Sequence, residues 1–243
     1  MRACVFFAIW LILAPALGAA ACPAPDDFAF SIDALPATAA AVQRKNLTIL
    51  AIGGTATLGT PAQGLEFSYP SQLARTLGAR LPGVTVRPVI SAVPRQTAAE
   101  LLSALDAVLA TEKPALVIWG PGANAAGRGE DIATFDEHIV RVIDKIKMAG
   151  SDVILMTLQY APGIALVVNL PPYRSAIIRG AENARLPVLD RYSLMRFWND
   201  VGFLRFDVTG HDERVQVARK MYGCIAEILT KSISNAINLG NSN

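Results

Sequence analysis

The chain has 243 residues, and its 22 basic and 20 acidic side chains leave a net charge of +2 with no basic run. That balance lacks the electrostatic footprint of a nucleic-acid binder, so nucleic acid is not an expected partner. Three cysteines are too few for a disulfide framework, and the length suits one sizeable domain rather than two.

The N-terminus reads as a processing signal before it reads as structure. Arg2 precedes an apolar run from Ala3 to Leu17, and the small residues Gly18 to Ala21 follow, which is the pattern of a secretory signal peptide over 1–21. The run falls short of the roughly 20 residues a membrane-spanning helix needs, and no later segment is long and apolar enough to span. Export to the periplasm or the medium is the expectation. Cleavage after Ala21 leaves Cys22 first, in Ala19-Ala20-Ala21-Cys22, a loose form of a bacterial lipoprotein box that makes a lipid anchor at Cys22 an alternative. Cys4 departs with the signal, and Cys224 falls on the apolar face of the last helix, where a buried free thiol is the ordinary reading. A Cys22 to Cys224 bridge is the alternative in an oxidising compartment.

Residues 22–45, rich in Pro, Ala and Asp, read as a leader or linker, 46–235 as the domain, and 236–243 as a disordered tail. Short apolar runs at 47–52, 84–90, 115–119, 153–158 and 187–189 predict buried strands. Between them Leu101, Leu105, Val108 and Leu109 recur at helical spacing, as do Ile132, Phe135, Ile139, Val142, Ile143 and Ile146, with Gly150 placed as a C-terminal cap. Ala218, Met221, Tyr222, Ile225 and Leu229 predict a final helix. Strand and helix alternate, which implies right-handed crossovers and an α/β fold: a three-layer α/β/α sandwich around a five-stranded, mostly parallel, flavodoxin-like sheet. In such a fold ligands bind at the carboxyl ends of the strands, so functional residues are sought just after each strand.

After the first run stands Gly53-Gly54-Thr55-Ala56-Thr57-Leu58-Gly59, a glycine-rich turn bearing two hydroxyls. No Lys follows the glycines and G-x-G-x-x-G is not matched, so the phosphate-loop and dinucleotide readings fail. A nucleophile on the turn and a plain strand-to-helix turn capped by Thr both remain open. The third run ends in Trp119-Gly120-Pro121-Gly122-Ala123-Asn124, where Asn124 can offer an amide N–H to a developing oxyanion or sit in an ordinary loop. Near the C-terminus Phe206-Asp207-Val208-Thr209-Gly210-His211-Asp212 carries one of only two histidines. A base for a hydroxyl nucleophile is nearly always histidine. His138 lies inside a predicted helix as a packing or surface residue, which leaves His211 as the candidate base beside the alternative of a solvated loop histidine.

Taken in order, these segments resemble the SGNH (GDSL-type) hydrolase family over about residues 46–232. That family carries Gly-Asp-Ser-x-x-x-Gly after the first strand, a glycine after the second, Gly-x-Asn after the third and Asp-x-x-His before the last helix. Tyr69-Pro70, Gln159-Tyr160-Ala161-Pro162 and Leu194-Met195-Arg196-Phe197-Trp198 are similar to a bacterial subgroup of it. The resemblance implies that Thr55 occupies the nucleophile position, with Gly54 where the family has Asp. It places Pro94 or Arg95 at the oxyanion glycine, Gly122 and Asn124 on the third motif, and Asp207 and His211 on the last, separated by three residues instead of two. Gly54, Arg95 and Gly122 are thus expected to contribute to binding. In the implied mechanism Thr55 attacks an ester carbonyl, His211 takes its proton, Asp207 orients the ring, and the Thr55 N–H and Asn124 receive the oxyanion. No cofactor or metal is implied, and the expected substrate is a small-molecule, lipid or O-acyl glycan ester. The altered motifs support a second expectation, a non-catalytic relative that binds an acylated glycan or a partner protein.

Overall fold

The computed structural model describes residues 22–25, 30–59 and 64–240. The signal peptide expected at 1–21 lies outside the described residues. In chain order the elements are α1 (Pro36–Gln43), β1 (Asn46–Gly53), α2 (Thr55–Leu58), a 3₁₀ turn (Leu65–Phe67), α3 (Tyr69–Arg80), β2 (Thr85–Ala92), α4 (Ala98–Glu112) and β3 (Leu116–Trp119). They continue as α5 (Ala123–Arg128), α6 (Ile132–Met148), β4 (Asp152–Met156), α7 (Pro162–Ala165), α8 (Pro171–Ala184), β5 (Val188–Leu189), α9 (Arg191–Asp200) and α10 (His211–Gly240).

The strands form a five-stranded sheet among the described residues, in the order β2-β1-β3-β4-β5, and every pairing is parallel. This is the expected flavodoxin-like order. β1 is an interior strand, between β2 and β3, and carries side chains into both layers, as the strands of a fully covered parallel sheet do. Leu47, Ile49 and Ala51 pack with α1, α3, α9 and α10, while Leu50 and Ile52 pack with α4, α5, α6 and α8. The helical stripes bury as their spacing requires: Phe135, Ile139 and Ile146 of α6 are fully buried. Asp131 caps α6 by accepting from the Thr134 N–H at 3.0 Å. At α4, Thr97 and Glu100 form a reciprocal capping box.

Two domain-level expectations are corrected. The described residues of 22–45 are part of the fold rather than a linker: Ile32 and Leu35 enter the core, and the Thr38 N–H and hydroxyl both donate to Asp152 Oδ2 at 2.7 Å. The Trp198 indole donates to the Pro23 carbonyl at 2.6 Å. The Ala-rich stretch that looked like a leader has high helix propensity, and its small side chains let α1 lie close to β1. The tail expected from 236 is helical through Gly240, because Ile233, Ala236 and Ile237 extend the apolar stripe of α10 and are buried. Cys22 and Cys224 are joined by a disulfide, with Cα atoms 5.5 Å apart. The free-thiol reading of Cys224 is therefore replaced by the bridge, which leaves the Cys22 sulfur no valence for a lipid thioether. Among the described residues no helix is long and apolar enough to cross a membrane.

Candidate active site

The site is built where the sheet order changes direction, at the carboxyl ends of β1 and β3. β1 ends at Gly53, where a Cβ would stand 2.3 Å from Thr57 Oγ1, so only glycine lets the chain fold back into α2. Thr55 opens α2 with its side chain exposed. On the facing loop Gly122 holds φ +101°, a conformation L side chains rarely adopt, and a Cβ there would meet Leu158 Cδ2 at 2.8 Å. That tight turn starts α5 and sets Asn124 in its first turn. Asn124 Nδ2 donates to the Gln96 carbonyl at 2.7 Å and lies 3.0 Å from where a Cβ on Gly54 would be. Gly54, Thr55, Gly122 and Asn124 thereby line one cavity of about 390 Å³, with Leu101 and Trp119 among its apolar wall. This size falls within the range of small-molecule sites.

Arg95 has φ +65° in the loop after β2. This left-handed backbone is what glycine ordinarily supplies, and unlike Pro94 the residue has a backbone N–H. Its side chain is exposed and outside the cavity wall, and its carbonyl accepts from Arg128 Nη2 at 2.7 Å. The binding role expected of the Arg95 side chain is thus not carried by this geometry.

The last motif departs furthest from expectation. His211 is the exposed first residue of α10, and Tyr222, eleven residues further along that helix, is the one that reaches the cavity. At the 1.5 Å rise per residue of an α-helix, the two are about 16 Å apart along its axis. Asp207 is exposed as well. Its carboxylate is hydrogen-bonded by Arg205 at 3.3 Å, which holds its pKa below the usual value, and His211 is not its partner. Neither Asp207 nor His211 is part of the cavity wall that Thr55 lines, and α10 starts several turns before its segment at the cavity. His138 is a packing residue, its Nδ1 2.9 Å from Glu130 Oε1.

The described cavity wall therefore contains no histidine and no carboxylate. Its ionisable members are Arg191 and Tyr222, which sequence reasoning missed although Arg191 stands only two residues after β5. Arg191 is 3 % exposed, and its Nε donates to the Thr157 carbonyl at 3.1 Å. Burial lowers its pKa, with Tyr69 and Tyr222 acting in the opposite sense. Burial likewise raises Tyr69 to about 12, against the pull of the Arg191 charge, and raises Tyr222. Among the described residues no cluster of His, Cys, Asp or Glu is arranged to hold a metal.

The Non-GDSL lipase-like family matches residues 21–239. Among solved structures, a G-D-S-L family lipolytic protein of Desulfitobacterium hafniense DCB-2 is 24 % identical, with a TM-score of 0.59 over 77 % of this chain and 99 % of that one. A lipase/acylhydrolase of Enterococcus faecalis is 22 % identical, with a TM-score of 0.64 over 78 % and 96 %. A two-domain esterase active on acetylated mannans is 16 % identical, with a TM-score of 0.70 over 87 % of this chain and 56 % of that one. These identities establish a shared fold. No curated protein matches the chain.

Proposed function

The chain belongs to the Non-GDSL lipase-like family and has the SGNH hydrolase fold, and on that premise we propose that its cavity binds an ester and hydrolyses it slowly. The convergence of Thr55, Gly54 and Asn124 on one cavity carries this reading. Thr55 stands at the attacking position with its hydroxyl accessible, and its N–H and the Asn124 amide are the donors for the oxyanion. The apolar wall suits the acyl group. An esterase of the same fold acts on acetylated mannans, which supports an O-acylated glycan as the substrate class, with a lipid ester as the other source of the same bond.

Slow turnover follows from the missing base. Nucleophilic hydrolases stripped of a triad member retain roughly 10³- to 10⁴-fold acceleration from oxyanion donors and binding alone. Thr55 also carries a methyl group that crowds the approach to a carbonyl. The mature chain should show saturable binding of p-nitrophenyl butyrate with slow release of p-nitrophenol. Ala161→Trp, which puts a bulky ring on the cavity wall, should abolish the saturation. Release that is linear in ester concentration and unchanged by Ala161→Trp would reject the site.

A second reading, a binding protein without turnover, is favoured by one observation: the described wall offers no group that takes a proton near neutral pH. Thr55→Ala separates the two, lowering the release rate at least tenfold in the first and leaving it unchanged in the second. Export of the chain is part of the proposal. It is supported by the signal-like N-terminus and by the Cys22–Cys224 bridge, which suits an oxidising compartment.

A further inference from the structure

Arg191 is a buried cation that has no ion pair among the described residues. Its side chain lines the cavity, it is 3 % exposed, and its one hydrogen bond among the described residues runs from Nε to the Thr157 carbonyl at 3.1 Å. Among the described residues neither Nη group has a hydrogen-bond partner. The nearest carboxylate in sequence, Asp190, is taken by Arg174, the Thr157 hydroxyl and the Ser193 N–H. The groups that face Arg191 electrostatically are Tyr69 and Tyr222, both phenols that stay neutral near pH 7. The Tyr69 hydroxyl is itself buried, beside the Thr57 side chain.

An uncompensated buried charge costs several kcal/mol, and chains that keep one ordinarily pair it. The guanidinium fork matches a carboxylate through two parallel N–H donors, and burial strengthens that pairing relative to water. The guanidinium lies beside the Gly120 turn at the end of β3, since a Cβ on Gly120 would stand 3.9 Å from Arg191 Nη2. The neighbouring wall is largely apolar, with Leu101 and Trp119 contributing to it.

We propose that Arg191 is the anion-binding element of the cavity and that the ligand presents it with a carboxylate attached to an apolar or acylated body. This rests on the reading of the cavity as a ligand site and narrows the ligand from any ester to an acidic one. A neutral ester then engages only the Thr55 and Asn124 side of the cavity, whereas a carboxylate also neutralises Arg191.

The test compares hexanoate, hexanamide and ethyl hexanoate as probes, by calorimetric titration of the intact mature chain and of Arg191→Met. The proposal expects hexanoate to bind the wild type at least tenfold more tightly than hexanamide, and the two to bind Arg191→Met alike. Arg191→Met removes a buried unpaired charge, so it should retain or raise the melting temperature. Equal affinities for acid and amide in the wild type overturn the proposal without any variant, so a poorly folding variant does not decide the matter. Retention of the tenfold preference in Arg191→Met, or in Arg191→Gln, overturns it too. If ethyl hexanoate binds and hexanoate has no advantage, the ester site stands and the anion site fails; if none of the three binds, both fail.

Discussion

At the scale of single residues, the site depends on a few positions whose backbone leaves little choice. Gly122 carries both a positive φ and no room for a Cβ. Gly122→Ala should cost about 3 kcal/mol in a urea titration, from the strained conformation and the overlap with Leu158 together, and should weaken ester binding by displacing Asn124. His211 is the opposite case. It is exposed at the start of α10 and absent from the cavity wall, so His211→Ala should change p-nitrophenyl butyrate hydrolysis by less than about twofold, against the roughly 10⁴-fold loss expected for a positioned base. The sequence carried Thr55, Gly122 and Asn124 to the cavity because each follows a strand at a fixed short offset. It misplaced Asp207 and His211 because the start of a helix depends on tertiary packing, which one chain's motif spacing does not report. Arg191 stayed hidden for another reason: a buried arginine is recognised by the absence of a partner in space, and Arg196 and Arg205 nearby in the chain give it an ordinary context.

At the scale of elements, Asp190 joins three pieces that frame the site. It accepts from the Thr157 hydroxyl at 2.8 Å, from Arg174 Nε at 3.0 Å and, as the N-cap of α9, from the Ser193 N–H. Burial alone would raise its pKa, but the hydrogen bonds from Arg174, Ser193 and Thr157 outweigh it and leave the carboxyl below its usual value. A folded-state pKa below the unfolded one means that this contribution is present above the unfolded carboxylate range and is lost as pH falls through the folded value. Asp190→Ala should therefore lower stability at pH 7 by about 3 kcal/mol, from the lost cap and the charge-assisted bonds. The difference between variant and wild type should shrink as denaturation is repeated at decreasing pH below about 4. The strands were legible because each is an apolar run bounded by turn residues, and α4 and α6 because their stripes repeat at helical spacing. α1 was not, since its buried faces are alanine and threonine, which do not stand out as an apolar stripe.

At the scale of the whole molecule, the alternation of strands and helices made the parallel sandwich and its order readable, while the fates of both termini were not. The described residues of 22–45 and α10 pack on the same layer of the sheet, and the Cys22–Cys224 bridge ties Cys22 to the middle of α10. Purified mature chain should take up iodoacetamide under denaturing conditions only after reduction. Cys22→Ser should lower its stability by roughly 2–4 kcal/mol. On the proposed reading, this hydrolase fold keeps an ester-binding cavity with no histidine base in its described wall. The most direct test is the saturation kinetics of p-nitrophenyl butyrate hydrolysis by the mature chain beside His211→Ala. Saturable binding with turnover well below the typical ~10 s⁻¹ of enzymes, equal in the two proteins, is expected; turnover in that range that is lost in His211→Ala would make His211 the base after all.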